Sequence, residues 1–287
     1  MFHSCYYNGM KRKITYLFIL ITITSLLGTP IKPRIEATTN QQTHNLSDNF
    51  QGNEKIEETE SLDKSQDKYW WLNSGGYFFR ENGIGKTFQG NVSNSSRWFW
   101  EYKESNPVDT DGGVHPQNIF RLITKGKWQN FDQEAYFKVK KYHLSGSPER
   151  YASNGLFLIN RFQDSDNLYY TGLRVDGTLV IKKKFDGKYY TLAQRKIIDG
   201  EYDRKDNPNL IPVDEKIGLK CSISNLEYGK VLIQLLVDNG ENWQLMLAVT
   251  DARSGNISII DNPGLGGIRT DFMDVEFYNY SIVENAS

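Results

Sequence analysis

Asp-Gly occurs twice between residues 176 and 187, each time between two runs in which apolar and polar residues alternate. A two-residue type I′ turn needs positive φ at both central positions, and Asp-Gly meets that need at small steric cost. The runs are Leu156–Phe162, Leu168–Val175, Thr178–Lys184 and Lys188–Arg195, with the polar turn Gln163–Asn167 between the first two. A period of two sends alternate side chains to opposite faces. Residues 157–195 therefore read as a four-stranded antiparallel meander.

The same alternation continues on both sides of the meander. Later runs are Lys216–Ser224, Lys230–Asp238, Trp243–Thr250 and Phe272–Val283; earlier ones are Gly76–Arg80, Arg97–Lys103, Asn118–Thr124 and Glu134–Tyr142. No long amphipathic helix is evident between them, and 17 Tyr, 15 Phe and 6 Trp beside 24 Gly suit strands and turns. The expectation is all-β: an antiparallel two-sheet jelly-roll sandwich over residues 69–287.

The N-terminal part differs in kind. Lys11-Arg12-Lys13 precedes an apolar segment, Ile14 to Leu27. A basic start before an apolar stretch of about 7–15 residues is the export pattern. Residues 1–37 are thus expected to be a signal peptide or an N-terminal membrane anchor, and the missing A-x-A-like site before Ala37 leaves both open. Residues 38–68 carry only Leu46, Phe50, Ile56 and Leu62 as large apolar residues, so a disordered polar linker is expected. These features imply an extracellular or cell-surface location, with membrane contact through the N-terminal segment alone. Lys+Arg 34 against Asp+Glu 35 leaves no basic excess to hold a phosphate backbone, which argues against nucleic acid. Cys221 is the single cysteine after the apolar segment; it lies on the apolar side of a strand and reads as a buried thiol.

Three stretches carry a family resemblance: Gly155–Tyr170 with its acidic turn, Gly172–Gly177 followed by Lys182–Tyr190, and the closing Gly266-Gly-Ile-Arg-Thr-Asp-Phe-Met-Asp-Val-Glu-Phe277. In this order they resemble the concanavalin A-like lectin/glucanase superfamily, in particular its laminin-G-like jelly rolls. The resemblance implies the two-sheet sandwich. It does not select among lectins, carbohydrate-binding modules, glycoside hydrolases, polysaccharide lyases and adhesive modules, since one fold hosts many functions.

Candidate sites follow from residue chemistry. Aromatic rings beside cations form sugar platforms: the ring stacks on C–H faces and the polar groups meet hydroxyls. Tyr170 and Trp100 are the expected rings, and Arg161 and Arg174 the expected polar partners, with a polysaccharide or glycoconjugate as ligand. Tyr136, His143 and His115 are the candidates for lyase-type proton transfer. The acidic run Asp271, Asp274 and Glu276 loosely resembles a glucanase strand, but the first spacing is wrong for a paired-acid site. Asp109 with Asp111, and Asp164 with Asp166, are turns whose oxygens suit Ca²⁺, the one cofactor the sequence leaves open. The leading expectation is carbohydrate binding without catalysis. The alternatives are a polysaccharide lyase or glycosidase on the same fold, and an adhesive or envelope-structural module.

Overall fold

A computed structural model describes residues 44–285. The expected signal or anchor, residues 1–37, and the first residues of the expected linker lie outside the described residues. The strands are β1 (Asn45–Asp48), β2 (Lys55–Glu57), β3 (Trp70–Ser74), β4 (Tyr77–Glu81), β5 (Ile84–Lys86), β6 (Ile119–Trp128), β7 (Phe131–Tyr142), β8 (Gly155–Asp164), β9 (Asn167–Arg174), β10 (Thr178–Phe185), β11 (Lys188–Lys196), β12 (Lys216–Leu226), β13 (Lys230–Asp238), β14 (Trp243–Ala252), β15 (Gly264–Asp271) and β16 (Met273–Glu284). A helix, α1 (Arg97–Ser105), lies between β5 and β6.

Two antiparallel sheets pack face to face, the jelly-roll sandwich expected from the sequence. The larger has the order β14-β13-β12-β7-β16-β5-β4-β2, with β1 also on β16; the smaller has the order β11-β10-β9-β8-β15-β6-β3. The meander is present as β8 to β11, with Gly172 opposite both Phe157 and Val180. At its last corner Asp186 and Gly187 both have positive φ, 49° and 74°. The earlier Asp-Gly corner is a three-residue loop, in which only Gly177 is left-handed (φ 77°). There Asp176 Oδ2 accepts from Arg174 Nη2 at 2.6 Å and Oδ1 from Thr178 N at 3.1 Å, which fixes the longer loop.

The core fills the space between the sheets. Phe120 and Phe277 stack at 5.6 Å, and Phe137 meets Phe277 edge-on at 5.7 Å. Cys221 is buried among these apolar residues, and burial pushes its thiol up to about 12. Two buried polar ties join the sheets. Gln133 of β7 donates to Ile159 O at 3.0 Å and accepts from Gly267 N at 2.7 Å. Lys183 of β10 pairs with Asp251 of β14 at 2.8 Å.

Three expectations are corrected. Residues 44–68 are not a tether: β1 pairs with β16 (Leu46 opposite Ile282), and Leu46, Phe50 and Ile56 are buried. Phe50 packs on Phe78 at 5.5 Å, and Asp48 and Asp67 together hold Arg80 at 2.9 and 2.8 Å. A few widely spaced apolar residues suffice because they dock onto a core that already exists. The run at Arg97 is a helix and not a strand. Ser96 caps it by accepting from Trp98 N, and Trp98 and Tyr102, four residues apart, share one helix face. The closing segment is two strands: Phe272, at φ 55°, breaks the chain so that β15 enters the smaller sheet and β16 the larger.

Candidate functional site

Alternation along the smaller sheet divides its side chains cleanly. Leu156, Leu158, Tyr169, Leu173, Leu179, Ile181 and Ile268 point into the main core, while Phe157, Ile159, Tyr170 and Val180 gather on the opposite, outward face. On that outward face lies a cleft of about 260 Å³, lined by Phe157, Tyr170, Lys182, Tyr189, Thr191, Arg269 and Asp271, with Tyr151, Ser153 and Asn154 from the segment before β8. Gly172 sits in the same face as Phe157 and leaves the floor bare. A Cβ there would stand 2.0 Å from Leu156 O.

Three tyrosines shape the cleft. Tyr170 stacks near Tyr189 at 6.3 Å and packs against Phe157 at 6.0 Å. Tyr189 is 49% exposed and Tyr151 43%, so both offer ring surface to a ligand. Arg269 Nε donates to Asp271 Oδ1 at 2.7 Å and its Nη1 to Tyr170 OH at 3.0 Å, which fixes both groups. Lys182, beside Tyr170 in register, is pushed down to about 8 by burial and then by the nearby Arg174.

The four sugar-contact residues expected from sequence divide. Tyr170 lines the cleft. Arg174 adjoins it and is tied to Asp176 at 2.6 Å. Arg161 does not line it: the side chain is fully buried and donates to Gln129 O (2.9 and 2.6 Å) and Ile260 O (2.8 Å). Strict alternation would place Arg161 outward, but its φ of 50°, within a register shift between Asn160 and Asp164, turns it in. Burial brings its guanidinium down to about 10. Trp100 lies on α1, 53% exposed, with its Nε1 donating to Asn94 O at 2.8 Å, and is not among the cleft residues. Sequence reasoning did not single out Lys182, Arg269 or Tyr151. Lys182 could have been found by carrying the alternation of β9 through the turn into β10. Arg269 could not, because β15 joins β8 only through the sheet order.

Of the proton-transfer candidates, two meet and one stays apart. The rings of His115 and His143 stack at 3.9 Å. His143 bridges Asn118 Oδ1 (2.7 Å) and Asp274 Oδ1 (2.8 Å), and His115 bridges Asp111 Oδ2 (2.8 Å) and Asn91 Oδ1 (3.0 Å). Tyr136 lies on the outward face of the larger sheet, 5.6 Å from Trp243. Asp274 also accepts from Gly90 N at 2.8 Å, so the cluster ties β16 and the start of β6 to the loop before α1. The acidic run does not form a paired-acid site, because Asp271 is held by Arg269, Asp274 by His143, and Glu276 by Tyr278 at 2.7 Å.

Burial, and then the adjacent His143, hold His115 below its ordinary 6.5, against the opposite pull of Asp111 and Asp274. A histidine with a lowered folded pKa contributes stability that is complete above 6.5 and is lost as pH falls below it. The melting temperature is expected to fall below pH 6.5 more steeply for the wild type than for His115→Gln. Parallel melting curves would contradict this.

The carboxylates of the two acidic turns are engaged by neighbouring protein groups. Asp109 accepts from Ser147 Oγ and Asp111 from Ser145 Oγ, each at 2.5 Å. Asp164 caps Asp166 N at 2.8 Å, and Asp166 pairs with Lys184 at 3.0 Å. These oxygens already accept protein hydrogens, and among the described residues no three His, Cys, Asp or Glu converge as metal ligands.

No protein-family profile matches the chain. No curated protein matches it. Among solved structures, the carbohydrate binding module CBM66 from Bacillus subtilis overlaps at 14% identity over 74% of this chain and 94% of its own, with a TM-score of 0.42. The metal-free exoplasmic/lumenal domain of VIP36 overlaps at 11% identity over 85% and 92%, TM-score 0.45. The GH43 protein BlXynB from Bacillus licheniformis does so at 10% identity, TM-score 0.43, over 83% of this chain and 39% of its own. At such scores the overlaps decide neither ligand nor chemistry, which rest on this chain's own side chains.

Proposed function

We propose that the chain is an exported or surface-tethered β-sandwich that binds carbohydrate without catalysis, and that the sugar lies in the cleft between Tyr151 and Tyr189. The observation that carries this is the open outward cleft, where two half-exposed tyrosine rings flank a floor of Phe157 and Tyr170 beside fixed polar groups. Apolar C–H faces of a sugar would stack on the rings, while Asn154, Thr191, Arg269 and Asp271 would meet hydroxyls. Export rests on the basic-then-apolar pattern from Lys11 to Leu27. The proton-transfer residues expected from the sequence do not come together, since Tyr136 is on the other sheet from Arg269 and apart from the His115–His143 pair.

Affinity electrophoresis against a broad polysaccharide panel tests the proposal. At least one polysaccharide is expected to retard the protein, and Tyr189→Ala to weaken that binding by about tenfold, roughly one lost ring–sugar stack. Because Tyr189 is half exposed, the melting temperature is expected to stay the same. Failure of every polysaccharide to retard the protein, or unchanged binding by Tyr189→Ala, would overturn the reading.

A further inference from the structure

Resting on the glycan reading above, we propose that the sugar held in the cleft is anionic, a uronate or a sulfated residue, and that its negative group sits against Lys182 and Arg269, the two cations that line the cleft. The charges on the strands and turns around the cleft do not balance. The cations are Arg121 on β6, Arg269 on β15, Arg174 on β9 and Lys182 on β10. The carboxylates on the strands and turns are Asp271 and Asp176, and Glu149 lies near Tyr151 on the segment before β8. Asp271 and Asp176 each already have a partner: Arg269 with Asp271 at 2.7 Å, and Arg174 with Asp176 at 2.6 Å. Among the described residues this leaves Lys182 and Arg121 with no carboxylate in ion-pair contact, although Asp271 favours the charge of both from a greater distance.

Arg121 makes the imbalance more pointed. It stands directly opposite Arg269 in the β6–β15 register, and its Nε is buried with no hydrogen-bond partner among the described residues. Like charges set opposite one another on a sheet face repel, and an unpartnered buried donor carries its full desolvation cost. Arg269 Nε and Nη1 are both engaged, which leaves its Nη2 for a ligand. Lys182 shows the same tension: burial, then Arg174 and Arg269, push it down to about 8 against the opposite pull of Asp271 and Asp176. An anionic group on the ligand would relieve Lys182 and Arg269, which both line the cleft. A neutral sugar would bury Lys182 further and leave it unpaired.

The sign of the pH dependence follows. Lys182 must be an ammonium to hold the anion, so affinity should be steady below about 8 and fall as pH rises through it. Stability runs the other way. The folded pKa lies below the unfolded 10.5, so the charged form is disfavoured in the folded protein, and stability is gained as pH rises from about 8 towards 10.5. Removing the amine should therefore stabilise the protein near neutral pH while it weakens binding.

The full chain is titrated calorimetrically with alginate, polygalacturonate and hyaluronan, each beside its carboxyl-reduced form and a sulfated ester of that form. An acidic polymer, carboxylated or sulfated, is expected to bind at least ~10-fold more tightly than its neutral counterpart, the size of one charge-assisted contact. Lys182→Met should remove most of that margin. Lys182→Met should also raise the melting temperature at pH 7 and abolish the loss of affinity near pH 8. Lys230→Met, an exposed cation on β13, should change nothing. Equal binding of neutral and acidic forms would overturn the anionic assignment and leave the glycan reading standing. So would unchanged acidic binding by Lys182→Met, or an equal loss in Lys230→Met. Absence of binding to any polymer would overturn both.

Discussion

A chain shortened to begin at Tyr69 is expected not to fold cooperatively. The truncation removes β1 and β2 and with them Leu46, Phe50 and Ile56, all buried. Each such side chain contributes roughly 1.5–3 kcal/mol on burial. The sum is comparable with the whole stability of a domain, about 5–15 kcal/mol. It also strips Arg80 of both its partners, Asp48 and Asp67, although the arginine is only 11% exposed. An intact chain should give a sharp thermal transition and dispersed amide resonances; the shortened chain should give neither. A shortened chain that melts at the same temperature would show that residues 44–68 are the tether their composition suggests.

Asp251→Ala is expected to destabilise the protein by about 3–5 kcal/mol, because it leaves the Lys183 ammonium buried without a counter-charge. Both side chains are under 5% exposed, at 2% and 4%. Asp251 also accepts from Tyr169 OH at 2.6 Å, so the tyrosine loses its acceptor as well. For a domain of this size the melting temperature should drop by roughly 6–20 °C. Replacing the whole group, as Lys183→Met with Asp251→Leu and Tyr169→Phe, should recover most of the loss, since apolar residues of similar volume can substitute for a buried pair. If the triple variant melts as low as Asp251→Ala, or Asp251→Ala melts like the wild type, the pair is not the tie between β10 and β14 described above.

What the sequence made legible was local. Two Asp-Gly steps located the meander, and alternation around them put Tyr170 and Arg174 on one face. The misplacements share a cause: each depends on geometry that period-two reading does not contain. Arg161 is turned inward by one left-handed residue. Trp100 rides a helix whose inward residues, Trp98 and Tyr102, are four apart, which a row of aromatics disguises as a strand. Residues 44–68 were judged by average composition, whereas three apolar side chains at wide spacing dock them. The cleft itself depends on β15 lying between β8 and β6, a neighbourhood that links residues about a hundred positions apart. No short-range signal specifies that pairing, so Arg269 and its opposition to Arg121 became visible only in the folded chain.

On the proposed function, a glycan occupies the outward cleft of the smaller sheet. Amide chemical-shift mapping of ¹⁵N-labelled protein during titration with a short oligouronate tests it most directly. Saturable shifts centred on Tyr151, Asn154, Tyr170, Lys182, Tyr189 and Arg269 are expected, with the larger sheet and α1 unmoved. Shifts centred instead on Tyr136 and Trp243, or on Trp100, would contradict it.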